Sequence, residues 1–504
     1  MRFSIANYAN RSKKKCQNSC HVECNVLNPL NYNERVISSF IRFRQRTQIL
    51  ILKSILPFTW PIIVELTCVV LMGIVSTILV SRIGQNETAA VGISDSVTYI
   101  VLAILTAIAL GGSVLISQAF GKRHRTQAVD GASQVMNLSL LISVLACLAI
   151  YCFADPLLDI VAYGADPHVI ELSALYLKTI ACSYPALAIT LTGSGILRAV
   201  GNSRQPAYCN IFMNLLNILF SYPLTYGISI IDFHGLGLFG AGIGITLARY
   251  VGAVIILITL TRNSSMSVNL ADYYRPFKRV TLIEILRIGI PASVESLMFN
   301  VGKLIMQMMV AGMGTVAMAG NVITFSAILF INIPGNALAM ASTVLISRRL
   351  GQNKLNVATL EMKLIFLIST ILLTLLAILS APVAHWIASI YTSETAVIDM
   401  VVNLIYLNAI MMPLWAASFV LPTAFKGAKD VKYSMWVAIA SMWGCRIMLG
   451  YLLGIVFNYG IYGLWIGMYV DWWVRAGCYF YRMISRKWLA IYLSTQEPKI
   501  KTEN

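Results

Sequence analysis

Glu65 and Glu295 are the residues of this chain best suited to chemistry. Each stands four positions after a proline, Pro61 or Pro291, inside a strongly apolar stretch, and the two pairs lie 230 positions apart. Placing an ionisable side chain at the middle of a membrane helix costs about 2.5–3.5 kcal/mol on insertion scales, so such a group calls for a functional reading. A carboxylate there can bind Na+ when ionised, or take up a proton when an apolar cavity raises its pKa. Either event can be coupled to a change of conformation. Both glutamates are therefore expected to couple an ion to movement. Lys303 lies eight residues beyond Glu295, about 80° around an ideal helix and about 12 Å along it, and is expected in the same cavity. Arg249, Arg446, Asp471 and Arg475 are the other deep charges, with Asp471 and Arg475 one helical turn apart, as an ion pair requires. Trp60, Tyr99, Tyr184, Phe299, Phe325, Trp415, Trp436 and Trp443 lie close to these charges in the chain and offer a stacking surface for a planar ligand.

The elements that must position these groups are membrane helices. Hydrophobic residues make up 58% of 504 positions and charged residues 12%, with a mean hydropathy of +0.74, too apolar for soluble domains of this length. Twelve stretches could each hold a span of about 20 residues. They are centred near Val69, Leu105, Leu141, Ala181, Leu216, Gly252, Gly302, Ala337, Ile371, Met411, Ala440 and Val470.

The spans fall into two halves that repeat. VLISQAFG at 114–121 returns as VLISRRLG at 344–351, Pro185 matches Pro413, and Leu197-Arg198 matches Phe425-Lys426. The expected fold is an all-α integral membrane protein of 12 transmembrane helices in two pseudo-symmetric six-helix bundles related as a parallel internal repeat. A tail at 1–48 leads into an N-lobe at 49–262. A linker at 263–281 joins it to a C-lobe at 282–488, and a tail at 489–504 completes the expected organisation. The recurring prolines Pro61/Pro291 and Pro185/Pro413 are the expected hinges.

The net charge of +17 follows membrane topology rather than a nucleic-acid partner. Basic residues gather in alternate connections: Lys122 to Arg125, Arg198 and Arg204, residues 262–279, Arg348-Arg349, residues 426–432 and residues 482–487. The other connections hold little beyond Arg82, and residues 154–171 carry four acids and no Lys or Arg. Both termini are thus expected in the cytoplasm, in a bacterial inner (plasma) membrane.

Several activities find no support. Gly237 to Gly244 and Gly460 to Gly467 space small residues for close helix packing. No strand precedes either run and no Lys-Ser or Lys-Thr follows, so neither is a nucleotide loop and ATP drive is not expected. HExxH and GxSxG are absent, which argues against an intramembrane enzyme. Cys16, Cys20 and Cys24 with His21 match no standard zinc spacing, and no metal or other cofactor is expected.

From about residue 50 to 487 the chain resembles the multidrug and toxic compound extrusion (MATE) family. The resemblance rests on the two six-helix halves, on Met72 to Leu79, on the Ser-x-x-x-Gly ends Ser117 to Gly121 and Ser347 to Gly351, and on Leu197 to Asn202. It implies a secondary exporter, an antiporter driven by Na+ or H+. Within the family, residues 289–296, 310–314, 425–430 and 441–446 are most similar to flavin-nucleotide exporters, which implies FMN and FAD as substrates. Many members carry an Asp where this sequence has Ser76, and alignment on the helix-start prolines puts their helix-seven Glu at Phe299. Ser76 and Phe299 are therefore expected at the substrate cavity with Lys303, Arg249, Arg446 and Trp415. Organic cations, favoured by Glu65, Glu295 and Asp471, are the alternative substrate, and a flippase for lipid-linked precursors is a further alternative. A monomer in the lipid bilayer is expected.

Overall fold

The computed structural model describes residues 29–161, 166–228, 233–263 and 266–495. Cys16, Cys20, His21 and Cys24 lie outside them. Among the described residues, 29–53 belong to one unit, and the two lobes are built from Ser54 onward.

Helices occupy all twelve expected stretches. The first half has α1 (Pro29–Ser81), α2 (Gln85–Gly121), α3 (Arg125–Val161), α4 (Pro167–Ala181) bent into α5 (Tyr184–Ala199), α6 (Arg204–Tyr226) and α7 (Gly237–Thr261). The second has α8 (Arg279–Ala311), α9 (Thr315–Gly351), α10 (Leu355–Ser380), the short α11 (Ala384–Tyr391), α12 (Thr395–Phe419) with α13 (Leu421–Gly427), α14 (Val431–Ser441) with its continuation to Val456, and α15 (Gly460–Ile484), followed by α16 (Lys487–Ser494). A two-residue antiparallel pairing joins Gly227–Ile228 to Phe233–His234. Among the described residues, eight helices are long and apolar enough to cross a membrane, with a ninth if the bent pair α4 and α5 is one span. The spans α6, α8 and α15 fall outside that set. These are the helices that carry Asn210, then Glu295 and Lys303, then Asp471 and Arg475.

The repeat is visible in the geometry. Helices α2 and α9 are each 37 residues long, and both begin and end 230 positions apart. Each closes through a left-handed residue, Arg123 (φ 63°) and Asn353 (φ 58°). The halves differ at the expected hinge of Pro185 and Pro413. The N-lobe span bends by 49° between α4 and α5, just before Pro185, whereas Pro413 sits inside the unbroken α12.

The two lobes meet at one end, where the last turns of α2 and α9 cross. A Cβ on Gly121 would strike the Arg348 carbonyl, and one on Gly351 the Gln118 carbonyl, so only glycine permits this reciprocal approach. Gln118 Nε2 also donates to the Gly427 carbonyl across the junction at 3.0 Å. Further along, Gly111 faces the Ile285 carbonyl. Toward the other end of α2, Tyr99 and Ile100 are exposed. Gly351→Ala should therefore push the helices apart and cost about 1–3 kcal/mol, as overpacking does. Gly73→Ala, with nothing within 4 Å of its Cβ position, should be near neutral. Thermal unfolding of the two variants side by side checks this.

The inter-lobe connection is tied down. Asp130, Gln134 and Asn137 share one face of α3 at i, i+4 and i+7. Gln134 donates to the Pro276 carbonyl and accepts from the Lys278 amide, both at 2.9 Å. Asn137 donates to the Tyr273 carbonyl at 2.7 Å. Asp130 pairs with Lys278 at 2.5 Å and with Arg275.

Candidate functional site

The repeated segments assemble the same acid–base pair in each lobe. Glu65 on α1 lies 3.3 Å from Arg198 on α5, and Asn210 on α6 donates to the same Oε1 at 2.5 Å. In the second lobe Lys426 on α13 donates to Glu295 on α8 at 2.8 Å. Arg198 and Lys426 are the repeat-related residues of Leu197-Arg198 and Phe425-Lys426. In both glutamates Oε2 has no hydrogen-bond partner among the described residues. A carboxylate with one oxygen committed to a cation and the other open can take up a proton or another cation without rebuilding its surroundings. The lobes differ in access. Glu65 is sealed at 5% exposure, whereas Glu295 borders a cavity of about 250 Å³ that Phe299, Phe419, Lys426, Arg475 and Tyr479 also line.

The segment after Lys426 shows what divergence cost. Gly201 (φ 94°) of the first lobe corresponds to Lys429 (φ 66°) of the second, a left-handed non-glycine residue carrying about 1–3 kcal/mol of strain. Burial pulls the Lys429 ammonium below its ordinary pKa, against the opposing pull of Glu284 at 3.5 Å.

Phe299 is the centre of the second lobe's site. Lys303, Arg446 and Arg475 hold their charged groups 5.9, 5.4 and 5.8 Å from its ring centroid, contacts worth about 0.5–2 kcal/mol each. Its edge meets Phe419, which stacks on Trp415 at 4.9 Å. Asp471, fully buried, pairs with Arg446 at 2.8 Å and with Arg475 at 2.6 Å, the second being the one-turn pair expected from spacing. Arg446 lies on a π-helical stretch, Met442–Leu449, whose wider turn changes the face its side chain takes. The glycine stripe of α15 packs against this stretch, with a Cβ on Gly467 lying 3.2 Å from the Arg446 carbonyl oxygen.

The first lobe has its own cavity, of about 440 Å³, lined by Ser76, Asp95, Thr98, Tyr99, Tyr176 and Arg249 among others. Arg249 donates to Ser183 at 2.7 Å.

Of the residues singled out from sequence, Glu295, Phe299, Lys303 and Arg446 come together in the second lobe, and Ser76 and Arg249 in the first. Glu65 is buried in its ion pair, away from the lining of either cavity. Trp415 is placed behind Phe419, packed over Gly335, and supports the aromatic wall without lining the cavity. Lys303 is exposed beside Phe299 rather than lining the Glu295 cavity. Sequence reasoning missed Asp95, which sits in the polar run Ser94-Asp95-Ser96 near the start of α2. It also missed Arg198 and Lys426 as partners of the two glutamates, although their repetition was the available signal.

Two helical lobes of matching architecture, each burying an acid–base pair and holding its own cavity, define a duplicated membrane transporter. The sequence profile of the MatE family matches residues 61–223 and 291–452, once per half and starting at Pro61 and Pro291. The chain belongs to that family. It is 26% identical over 436 residues to the uncharacterized transporter YisQ of Bacillus subtilis, covering 86% of this chain and 95% of that one. It is 23% identical over 445 residues to the probable multidrug resistance protein NorM of Thermotoga maritima, covering 88% and 95%. A solved MOP-superfamily transporter from Pyrococcus furiosus shares the fold, with a TM-score of 0.78 at 20% identity over 87% of this chain and 96% of that one.

Proposed function

We propose that this protein is a secondary exporter that moves planar organic solutes out of the cytoplasm in exchange for Na+ or H+, with FMN and FAD as its substrates. The observation that carries the reading is the charge of the second lobe's site. Four cations (Lys303, Lys426, Arg446, Arg475) stand against two carboxylates (Glu295, Asp471), leaving two positive charges beside aromatic faces. A planar anion would find both a stacking surface and counter-charge there. Glu295, with its open Oε2 on the cavity, is the coupling carboxylate in this reading, and Glu65 is its sealed counterpart. The basic connections favour a cytoplasmic position for the end where α2 and α9 cross. Inverted vesicles containing the protein should accumulate FMN under an imposed Na+ or proton gradient, each applied separately. Accumulation that ignores both gradients would reject coupled export.

A second reading, an exporter of organic cations, is favoured by Asp95 on the first lobe's cavity and by the names of relatives such as the multidrug resistance protein NorM. Lys303→Ala discriminates between the two. If anions are carried, it should weaken flavin transport several-fold more than transport of a cationic dye, because it removes the anion's partner and relieves the cation of repulsion. Equal loss would make Lys303 a structural residue, and a greater loss of dye would reject the flavin reading.

A further inference from the structure

At the closed end, beside the crossing of α2 and α9, lies a cavity of about 610 Å³ that neither ion pair touches. Arg204 and Arg262 of the first lobe and Arg348 and Arg349 of the second line it, and no carboxylate does. Arg349 is held by Glu361 at 2.9 Å. Arg204, Arg262 and Arg348 have no carboxylate partner within salt-bridge distance among the described residues. Arg348 lies over the Phe120 ring at 5.1 Å, and its Nη1 approaches Gly201 so closely that a Cβ there would sit 2.7 Å away. On the other side of the same crossing a second cavity, of about 730 Å³, shares Arg348 and is lined by Lys122, Arg123, Arg125 and Lys354, again without a carboxylate.

A count of basic residues on one membrane face follows from topology alone. Their convergence from both lobes on one open-mouthed cavity does not. Guanidinium groups lining one cavity with no carboxylate among them repel one another, the more so at low ionic strength. Guanidinium is also the side chain whose planar fork matches phosphate oxygens two at a time.

We infer that this cavity binds a phosphate-bearing anion that bridges the two lobes, with Arg204 and Arg262 on one side and Arg348 on the other. The anion neutralises the repulsion at the lobe junction and so holds this end shut. A phosphate group of that kind is carried by an anionic lipid headgroup or by a soluble polyphosphate. The cavity's size lies within the range of small-ligand sites, roughly 300–1,000 Å³.

The full-length chain in phosphatidylcholine nanodiscs, with and without phosphatidylglycerol, tests this through its unfolding midpoint, with pyrophosphate titrated into the lipid-neutral discs. A midpoint raised by phosphatidylglycerol alone assigns the site to a lipid headgroup, and one raised by pyrophosphate assigns it to a soluble anion. In either case Arg204→Gln/Arg348→Gln should abolish the rise and weaken apparent affinity by about tenfold or more. If that variant fails to fold, Arg204→Gln/Arg262→Gln, which changes two exposed residues, serves in its place. No rise with either probe, or the same rise in wild type and variants, overturns the inference. Transport does not enter the readout, so the outcome is independent of the exported substrate.

Discussion

Glu295→Gln is expected to reduce gradient-driven export to the background of vesicles lacking the protein, while the variant still inserts and folds. Glutamine keeps the shape and removes the group that can exchange a proton or a Na+. Lys426 then loses its counter-ion at 2.8 Å. Breaking a fully buried pair costs about 3–5 kcal/mol, but this pair borders a cavity, where water can solvate the ammonium and lower that cost. The double variant Glu295→Gln/Lys426→Met separates coupling from scaffolding, because no charge is left unpaired. Stability should recover while export stays absent. Parental transport by the double variant would reduce the pair to a structural role. Glu65→Gln should do less harm to export per folded molecule if one lobe alone carries the ion, and similar harm if both do.

Asp471→Asn is expected to give the largest loss of stability in the second lobe. Asp471 is fully buried and serves Arg446 and Arg475 together, both only 4% exposed. Its neutralisation strands two guanidiniums in an apolar bundle, at a cost of about 3–5 kcal/mol or more. Denaturation in detergent micelles measures it, and a variant as stable as the parent would show that water or another group already compensates those charges. Arg446→Met/Asp471→Asn should recover part of the loss, since Arg475 keeps its bonds to Ser441 and the Ala438 carbonyl.

Duplication made the outline legible from sequence. Glu65 and Glu295 stood out because both kept the same distance from a proline, and the equal lengths of α2 and α9 follow from the same 230-residue offset. Helical spacing placed Lys303 in the Glu295 cavity, whereas the fold sets it beside Phe299, outside that lining. The partners were harder to see, because Arg198 and Lys426 reach their glutamates across more than 130 residues, a separation that no local periodicity encodes. Arg446 rides on a π-helical turn, and that change of pitch leaves no trace in hydropathy. Asp95 was hidden because a polar tripeptide near a helix start reads as a connection, although its fold context turns it toward a cavity.

The strapped linker has a mechanical consequence. Three side chains of α3 fasten residues 273–278 to the first lobe, so the free chain between the lobes shrinks to the joint at Lys278 and Arg279, where α8 begins. Rocking of the second lobe about that joint as a pivot is limited by Ile285, which packs on α2 at Gly111. The lever that swings from this pivot is α8 itself, and it carries Glu295, Phe299 and Lys303. In the cycle proposed for this protein, opening the gate and reshaping the binding surface are then one rotation, and a rigid insertion at that joint would uncouple neither from the other but stall both.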